Sequence, residues 1–137
     1  MSVKILNHPL IDHHMNKLRS KDTKNSDFRI SAKIVSKLMG YVIFKTLSTK
    51  NVQINTPLEQ FDGREVKKPF PCLVSILRAG SVMVEGLLEV FPECSVGHIG
   101  VFRDHKTLLP KDYVIKLPND IEMLIYYYKH NHEYIAL

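Results

Sequence analysis

The feature that most constrains this chain is one unbroken junction: Cys72-Leu73-Val74-Ser75-Ile76-Leu77, then Arg78-Ala79-Gly80-Ser81, then an apolar stretch from about Val82 to Phe91. A continuous apolar run of strand length fits a strand covered on both faces, and a helix-length apolar segment directly behind a small-residue loop makes a strand, loop, helix unit. Pro92 cannot continue a helix and ends it. Val96 to Phe102 then reads as a second strand, Arg103 to Asp112 as a polar loop, and Tyr113 to Leu117 as a third extended stretch. Strand and helix alternate, so the expected class is α/β with a parallel sheet.

Upstream, Pro9 sits where a first helical turn would begin, and Leu10, Ile11, Met15 and Leu18 give a short apolar face up to about Arg19. Asn25 or Ser26 can cap a second, longer helix in which Phe28, Ala32, Val35, Met39 and Val42 recur at helical spacing. From Asn51 the period changes. Val52, Gln53, Ile54 and Asn55 alternate, Pro57 interrupts, and Asp62-Gly63 supplies a tight turn before Val66, which predicts a hairpin arm. No repeat is visible, and 137 residues are about one domain of ordinary size.

The composition, 45% hydrophobic and 24% charged, is that of a globular chain rather than a disordered or collagenous one. No apolar run approaches the roughly 18 residues that span a bilayer, so no membrane partner is expected. The first nine residues hold no apolar signal core, which points to a cytoplasmic protein. Cys72 and Cys94 lie in apolar surroundings and read as reduced core thiols.

The 19 Lys and Arg against 14 Asp and Glu, a net charge of +5, suit a nucleic acid, a nucleotide or a phosphorylated metabolite without choosing among them. Tyr126-Tyr127-Tyr128 does not build a stacking platform, because consecutive strand positions alternate faces; no nucleic-acid partner is expected. His13-His14 and His130-Asn131-His132 are the closest histidine pairs, but no third ligand is positioned with them and no metal site is assigned. His98, inside an apolar strand, reads as a satisfied core residue.

Ligands of open parallel sheets bind outside the carboxyl ends of the strands, and Arg78 and Arg103 each fall at such an end. A guanidinium fork matches phosphate oxygens, and Ala79-Gly80 lets backbone approach an anion closely. Spacing alone leaves both arginines equally open to being solvated loop charges.

The residues also carry a resemblance. In order they are His8-Pro9-Leu10-Ile11 with His13, Phe28-Arg29, Leu38-Met39-Gly40-Tyr41 and Thr56-Pro57. Ile76-Leu77-Arg78-Ala79-Gly80 follows, with Met83-Val84-Glu85-Gly86 and Val96-Gly97-His98-Ile99-Gly100. Arg103-Asp104, Thr107-Leu108, Pro110, Lys116-Leu117-Pro118 and Asp120-Ile121-Glu122 complete the set. This ordered set, over about residues 5–122, resembles the N-terminal part of the bacterial-type uracil phosphoribosyltransferases. The resemblance implies a type I phosphoribosyltransferase-like parallel sheet with N-terminal helices and a β-hairpin arm, incomplete at the C-terminus. It also implies conversion of uracil and phosphoribosyl pyrophosphate (PRPP), with Mg²⁺, into UMP and pyrophosphate, in a homo-oligomer whose surfaces include the arm from about Val52 to Val66. Carried over by position, Arg78, Ala79 and Gly80 match the family's pyrophosphate loop, and Arg103 its second PRPP-binding arginine. No residue is assigned a catalytic role.

Two departures stand beside the resemblance. Ser81-Val82 occupies positions where the family has a bulky aliphatic residue and a glycine, and is expected to crowd the pyrophosphate loop. After Glu122 the family continues with a strand, an aspartate and a Thr-Gly-Gly loop for the ribose 5-phosphate, whereas residues 123–137 contain neither glycine nor aspartate. Backbone N–H groups of such a loop cradle a terminal phosphate, and the family's uracil-reading segment lies later still. The expectation is therefore a single partial domain over 1–137 with a divergent tail at 123–137 that reads like an AT-rich gene translated out of frame, the product of a frameshifted or truncated gene. Such a chain is expected to be weakly active or inactive alone. The alternative is a non-catalytic remnant or interaction protein that keeps the family's dimer surfaces.

Overall fold

The computed structural model describes residues 5–119, 124–130 and 133–136, the last two segments as backbone. Helix α1, Pro9–Arg19, starts as the sequence predicts: Pro9 takes the first turn, and the His8 ring accepts a hydrogen bond from the Leu10 N–H at 3.2 Å. Helix α2, Asn25–Phe44, begins from Lys24 without a side-chain cap, so neither Asn25 nor Ser26 plays the capping role expected of it. Its buried face is Ser31, Ala32, Val35, Ser36 and Gly40, while Phe28 stays exposed. The predicted apolar stripe is thus displaced toward small residues.

The reason is the closeness of the helices. A β-carbon on Gly86, in helix α3 (Ser81–Leu88), would lie 2.6 Å from the Lys33 carbonyl oxygen and 2.7 Å from the Ser36 β-carbon. Ser36 Oγ donates to the Ala32 carbonyl at 2.8 Å, which satisfies a hydroxyl that the crossing buries. On the α1 side, His14 Nδ1 lies 3.2 Å from the Ser31 hydroxyl. Burial, followed by the charges of His13 and Lys17, lowers the His14 pKa. Lys33 and Lys37 of α2 pair with Glu89, and Lys33 also with Glu85, across the solvent side of the α2–α3 crossing.

The arm is an antiparallel pair, β1 (Thr49–Asn55) and β2 (Gln60–Val66). Its turn is not at Asp62-Gly63. Thr56 makes the reversal: its hydroxyl accepts from the Leu58 and Glu59 N–H groups and donates to the Glu59 carbonyl at 2.7 Å. Asp62 and Gly63 lie within β2, opposite Gln53 and Val52, because the threonine-centred turn at the Pro57 break closes the hairpin first.

The main sheet has the order β5-β4-β3-β6-β7. Strand β3, Cys72–Leu77, runs parallel to β4, Ser95–Arg103, in the register Cys72↔Ser95 to Leu77↔Gly100. The sheet is mixed rather than wholly parallel: β5, Pro110–Lys116, returns antiparallel to β4. The connection, residues 104–109, is too short for a parallel crossover, which needs roughly a dozen residues. On the other side β6, Leu124–His130, pairs parallel with Cys72 to Val74 of β3, and β7, Glu133–Ala136, pairs antiparallel with β6. Part of the divergent tail is therefore strand.

Leu73, Val84, Leu87 and Cys94 form the buried core, with Ile43, Phe44, Leu88, Phe91 and Val96 around them. Cys72 and Cys94 are both free and buried; burial is the largest cause pushing the Cys94 thiol up to about 11. No helix among the described residues is long and apolar enough to cross a membrane.

Candidate functional site

The buried start of β3 fixes everything that follows it. Pro71 through Ser75 are buried and Ile76 and Leu77 half-buried, so the chain emerges at Arg78 and Ala79, which are exposed. The Leu77–Arg78 peptide is cis. The loop then closes on the strand it has just left: the Gly80 N–H donates to the Ile76 carbonyl at 2.9 Å, and the Ser81 N–H to the Arg78 carbonyl at 3.2 Å. A β-carbon at Gly80 would lie 3.0 Å from both the nitrogen and the oxygen of Ile76. Only the smallest residue allows this approach without displacing backbone. Ser81 and Val82 take the first turn of α3.

The second strand end is built differently. Arg103 is the last residue of β4 rather than the first of a long loop, and its partner across the ladder is Pro110. Between them, Asp104 organises the turn. One of its oxygens accepts the N–H groups of Lys106 and Thr107, each at 2.9 Å, and the Thr107 hydroxyl at 3.1 Å; the other meets Lys111 Nζ at 2.6 Å. The Asp104 N–H donates to the Leu109 carbonyl at 3.0 Å, and Leu108 takes a left-handed φ of 57°. The Lys111 ammonium, then the Thr107 and Lys106 N–H groups, hold the Asp104 carboxyl down at about 2. Further down the ladder a bulge falls between Gly100 and Val101, where the Tyr113 ring covers Gly100 so closely that a β-carbon there would lie 2.6 Å from the ring. The unpaired residue is Tyr113, so the strand that bends is β5, opposite the end that bears Phe102 and Arg103.

Arg78 and Arg103 thus lie past the same register point, Leu77↔Gly100, at the carboxyl ends of neighbouring parallel strands. Both are exposed, and among the described residues neither forms an ion pair with a carboxylate. Two guanidiniums so placed can grip an anion that spans two strand ends, such as a diphosphate. Sequence reasoning gave Asp104, Lys111 and Tyr113 no role at these strand ends. An aspartate three residues before a threonine is a local turn signal that could have marked the first, whereas Lys111 and Tyr113 depend on a register that no local pattern specifies.

His98 lies apart from these strand ends, and its Nδ1 is 2.7 Å from the Ser75 hydroxyl on β3, so it is satisfied by a neighbouring strand. Among the described residues no group of three or more His, Cys, Asp or Glu side chains is gathered to hold a metal. The histidine pair of His130-Asn131-His132 falls partly outside the described residues.

Comparison with known proteins gives consistent findings. A family model described as uracil phosphoribosyltransferase matches residues 5–125. The uracil phosphoribosyltransferase of Dictyoglomus turgidum is 43% identical over 118 residues, which cover 86% of this chain and 57% of the relative. That of Streptococcus pneumoniae R6 is 41% identical over 120 residues, covering 88% and 57%. The solved structure of the AQ2163 protein from Aquifex aeolicus superimposes with a TM-score of 0.75 at 31% identity, over 82% of this chain and 54% of that one. The chain therefore spans a little over half the length of the relatives it matches.

Proposed function

Because the chain belongs to the uracil phosphoribosyltransferase family, we propose that its two strand-end arginines hold the diphosphate of PRPP for transfer of the phosphoribosyl group to uracil, a pyrimidine-salvage reaction yielding UMP and pyrophosphate. The observation that carries this reading is the pair itself: Arg78 and Arg103, exposed and without carboxylate partners among the described residues, at the carboxyl ends of adjacent parallel strands.

The chemistry follows from where charge develops. A nitrogen of uracil, giving up its proton to water, bonds to the anomeric carbon of PRPP as the bond from that carbon to the diphosphate oxygen breaks, and the bonding pair leaves with the diphosphate. Guanidiniums fixed at the departing oxygens are worth more as that charge grows, so they lower the barrier rather than only tightening binding. Ala79 and Gly80 keep side-chain bulk away from the same oxygens, and the loop leads directly into α3, whose N-terminus favours an anion. Mg²⁺ is proposed to enter with PRPP. The nearest carboxylate in the sequence, that of Asp104, is already engaged by Lys111 and the turn N–H groups, so oxygens of the diphosphate and water are its fitting ligands. When bound, it would add positive charge at the diphosphate.

Residues 123–137 hold neither glycine nor aspartate, so within this sequence nothing matches a glycine-rich loop for the ribose 5-phosphate. The 137-residue chain is proposed to bind PRPP through its diphosphate and to turn uracil over slowly or not at all on its own. The proposed setting is the cytoplasm. The reading of the chain as an association module has its own support in the arm, where Leu58 is 96% exposed, Phe61 57% and Ile54 44%; an isolated hairpin with such a face is marginal in water, and a second copy of the chain is the proposed cover.

The test is PRPP-dependent conversion of labelled uracil by the purified chain, with Arg103→Ala as control and the Dictyoglomus turgidum enzyme alongside. PRPP binding with conversion far below that enzyme is the expected result. Brisk conversion that survives in Arg103→Ala would remove the arginine from the reaction.

A further inference from the structure

Arg103 is followed directly by a carboxylate, and that carboxylate does not neutralise it. Asp104 Oδ2 is taken by Lys111 Nζ at 2.6 Å and Oδ1 by the Lys106 and Thr107 groups, so every oxygen of the Asp104 carboxylate is directed into the turn. Lys111 stands on β5 opposite Phe102, one register step from Arg103↔Pro110. The Asp104 side chain is 18% exposed and that of Lys111 56%, so the carboxylate is the more sheltered partner of the pair. A guanidinium pairs readily and bidentately with a carboxylate; Arg103 and Asp104, as consecutive residues, set out on opposite faces, but Arg103 ends its strand and its long side chain can turn back to a neighbouring carboxylate left uncovered.

We infer that Lys111 is a positioning residue of the anion site: by occupying Asp104 it keeps the Arg103 guanidinium free for an incoming diphosphate. The inference rests on the reading of Arg103 as an anion-binding residue. It differs from two simpler roles: a direct cation for the ligand would be missed whatever the charge of Asp104, and a strut of the hairpin would be lost as much by neutralising Asp104 as by removing Lys111, whereas here the loss appears only when Asp104 is left charged and uncovered.

The experiment titrates the full chain with inorganic pyrophosphate, followed by NMR, in Lys111→Ala, Asp104→Asn and the double variant. Asparagine keeps one oxygen for the Lys106 and Thr107 N–H groups, and loses the charge together with the second oxygen that meets Lys111. Lys111→Ala is expected to weaken binding about fivefold, on the scale of an exposed ion pair. Asp104→Asn is expected to bind like the parent, and adding Lys111→Ala to it to cost less than about twofold. An equal loss from Lys111→Ala in both backgrounds would make Lys111 a direct ligand, and a loss from Asp104→Asn alone as large as that from Lys111→Ala would make the pair a strut; either overturns the inference, as would no loss in any variant. Ligand-free spectra separate this from the reading beneath it. Removing Lys111 should shift and protect the Arg103 Nε–H when Asp104 is intact, and should leave it unchanged in the Asp104→Asn background. If that shift appears while Arg103→Ala leaves pyrophosphate binding unchanged, the Lys111 device stands and the anion-site reading falls; if Arg103→Ala abolishes binding and no shift appears, the reverse holds.

Discussion

After β3 the chain turns by backbone packed against backbone, with Gly80 pressed on Ile76; after β4 it turns around one carboxylate, with Asp104 drawing in Lys106, Thr107 and Lys111. Both turns deliver an arginine to the end of a strand. The first is held by sterics and short-range hydrogen bonds, which neither pH nor salt alters much. The second is held by charge, which both alter. The comparison teaches that equivalent places in a sheet need not be equivalent in robustness, and that the half of the candidate site built by Asp104 is the half open to adjustment.

The largest effect is expected where the steric turn is filled. Gly80→Val must move the β3–α3 loop off Ile76, and should weaken pyrophosphate binding by more than about tenfold while lowering stability by about 1–3 kcal/mol. Binding titration and denaturant melting check it, and a variant that binds normally would mean that the close approach is dispensable. Next comes the charged turn. Asp104→Ala removes both the cap and the pair, and should cost about fivefold in pyrophosphate affinity with the β3–α3 loop undisturbed. Amide shifts confined to residues 103–111 are the expected signature.

Acid sharpens the contrast without any mutation. The Asp104 carboxyl sits at about 2, below the usual value near 4. A depressed carboxyl stabilises the turn in full above its unfolded value, and that contribution fades as pH falls from about 4 towards about 2. The Lys106 and Thr107 amides should therefore titrate in that window while those of Gly80 and Ser81 do not, and parallel titration of all four would erase the distinction. The smallest effect is expected at Tyr113, whose ring covers Gly100 but is 55% exposed. Tyr113→Ala should change pyrophosphate affinity by less than about twofold, as surface changes usually do.

What the sequence made legible follows the range of the interactions. The apolar run of β3 and Pro9 at the start of α1 act within a few residues, and those elements form where the signals lie, whereas α3 ends at Leu88, ahead of the break at Pro92, where the Val90 and Phe91 N–H groups turn back to the Leu87 carbonyl. The placement of Arg78 and Arg103 at strand ends was legible because strand ends can be located from the runs that precede them. The turn of the arm was misplaced because Asp62-Gly63 is the commoner signal, whereas the Thr56 hydroxyl wins by making three hydrogen bonds within one turn. The direction of β5 was missed since an extended segment looks alike whichever way it runs. The small-residue face of α2 and the pairing of Lys111 with Asp104 depend on partners far along the chain or across a ladder, and no single segment announces them.

The most direct test of the central claim is calorimetric titration of the full chain with PRPP and Mg²⁺, for the parent protein and for Arg78→Ala and Arg103→Ala. Each guanidinium supplies charge-assisted hydrogen bonds to the diphosphate, so each substitution is predicted to weaken binding about tenfold or more. PRPP binding that neither substitution changes would contradict the account, and would mean that the two strand ends do not form the diphosphate site.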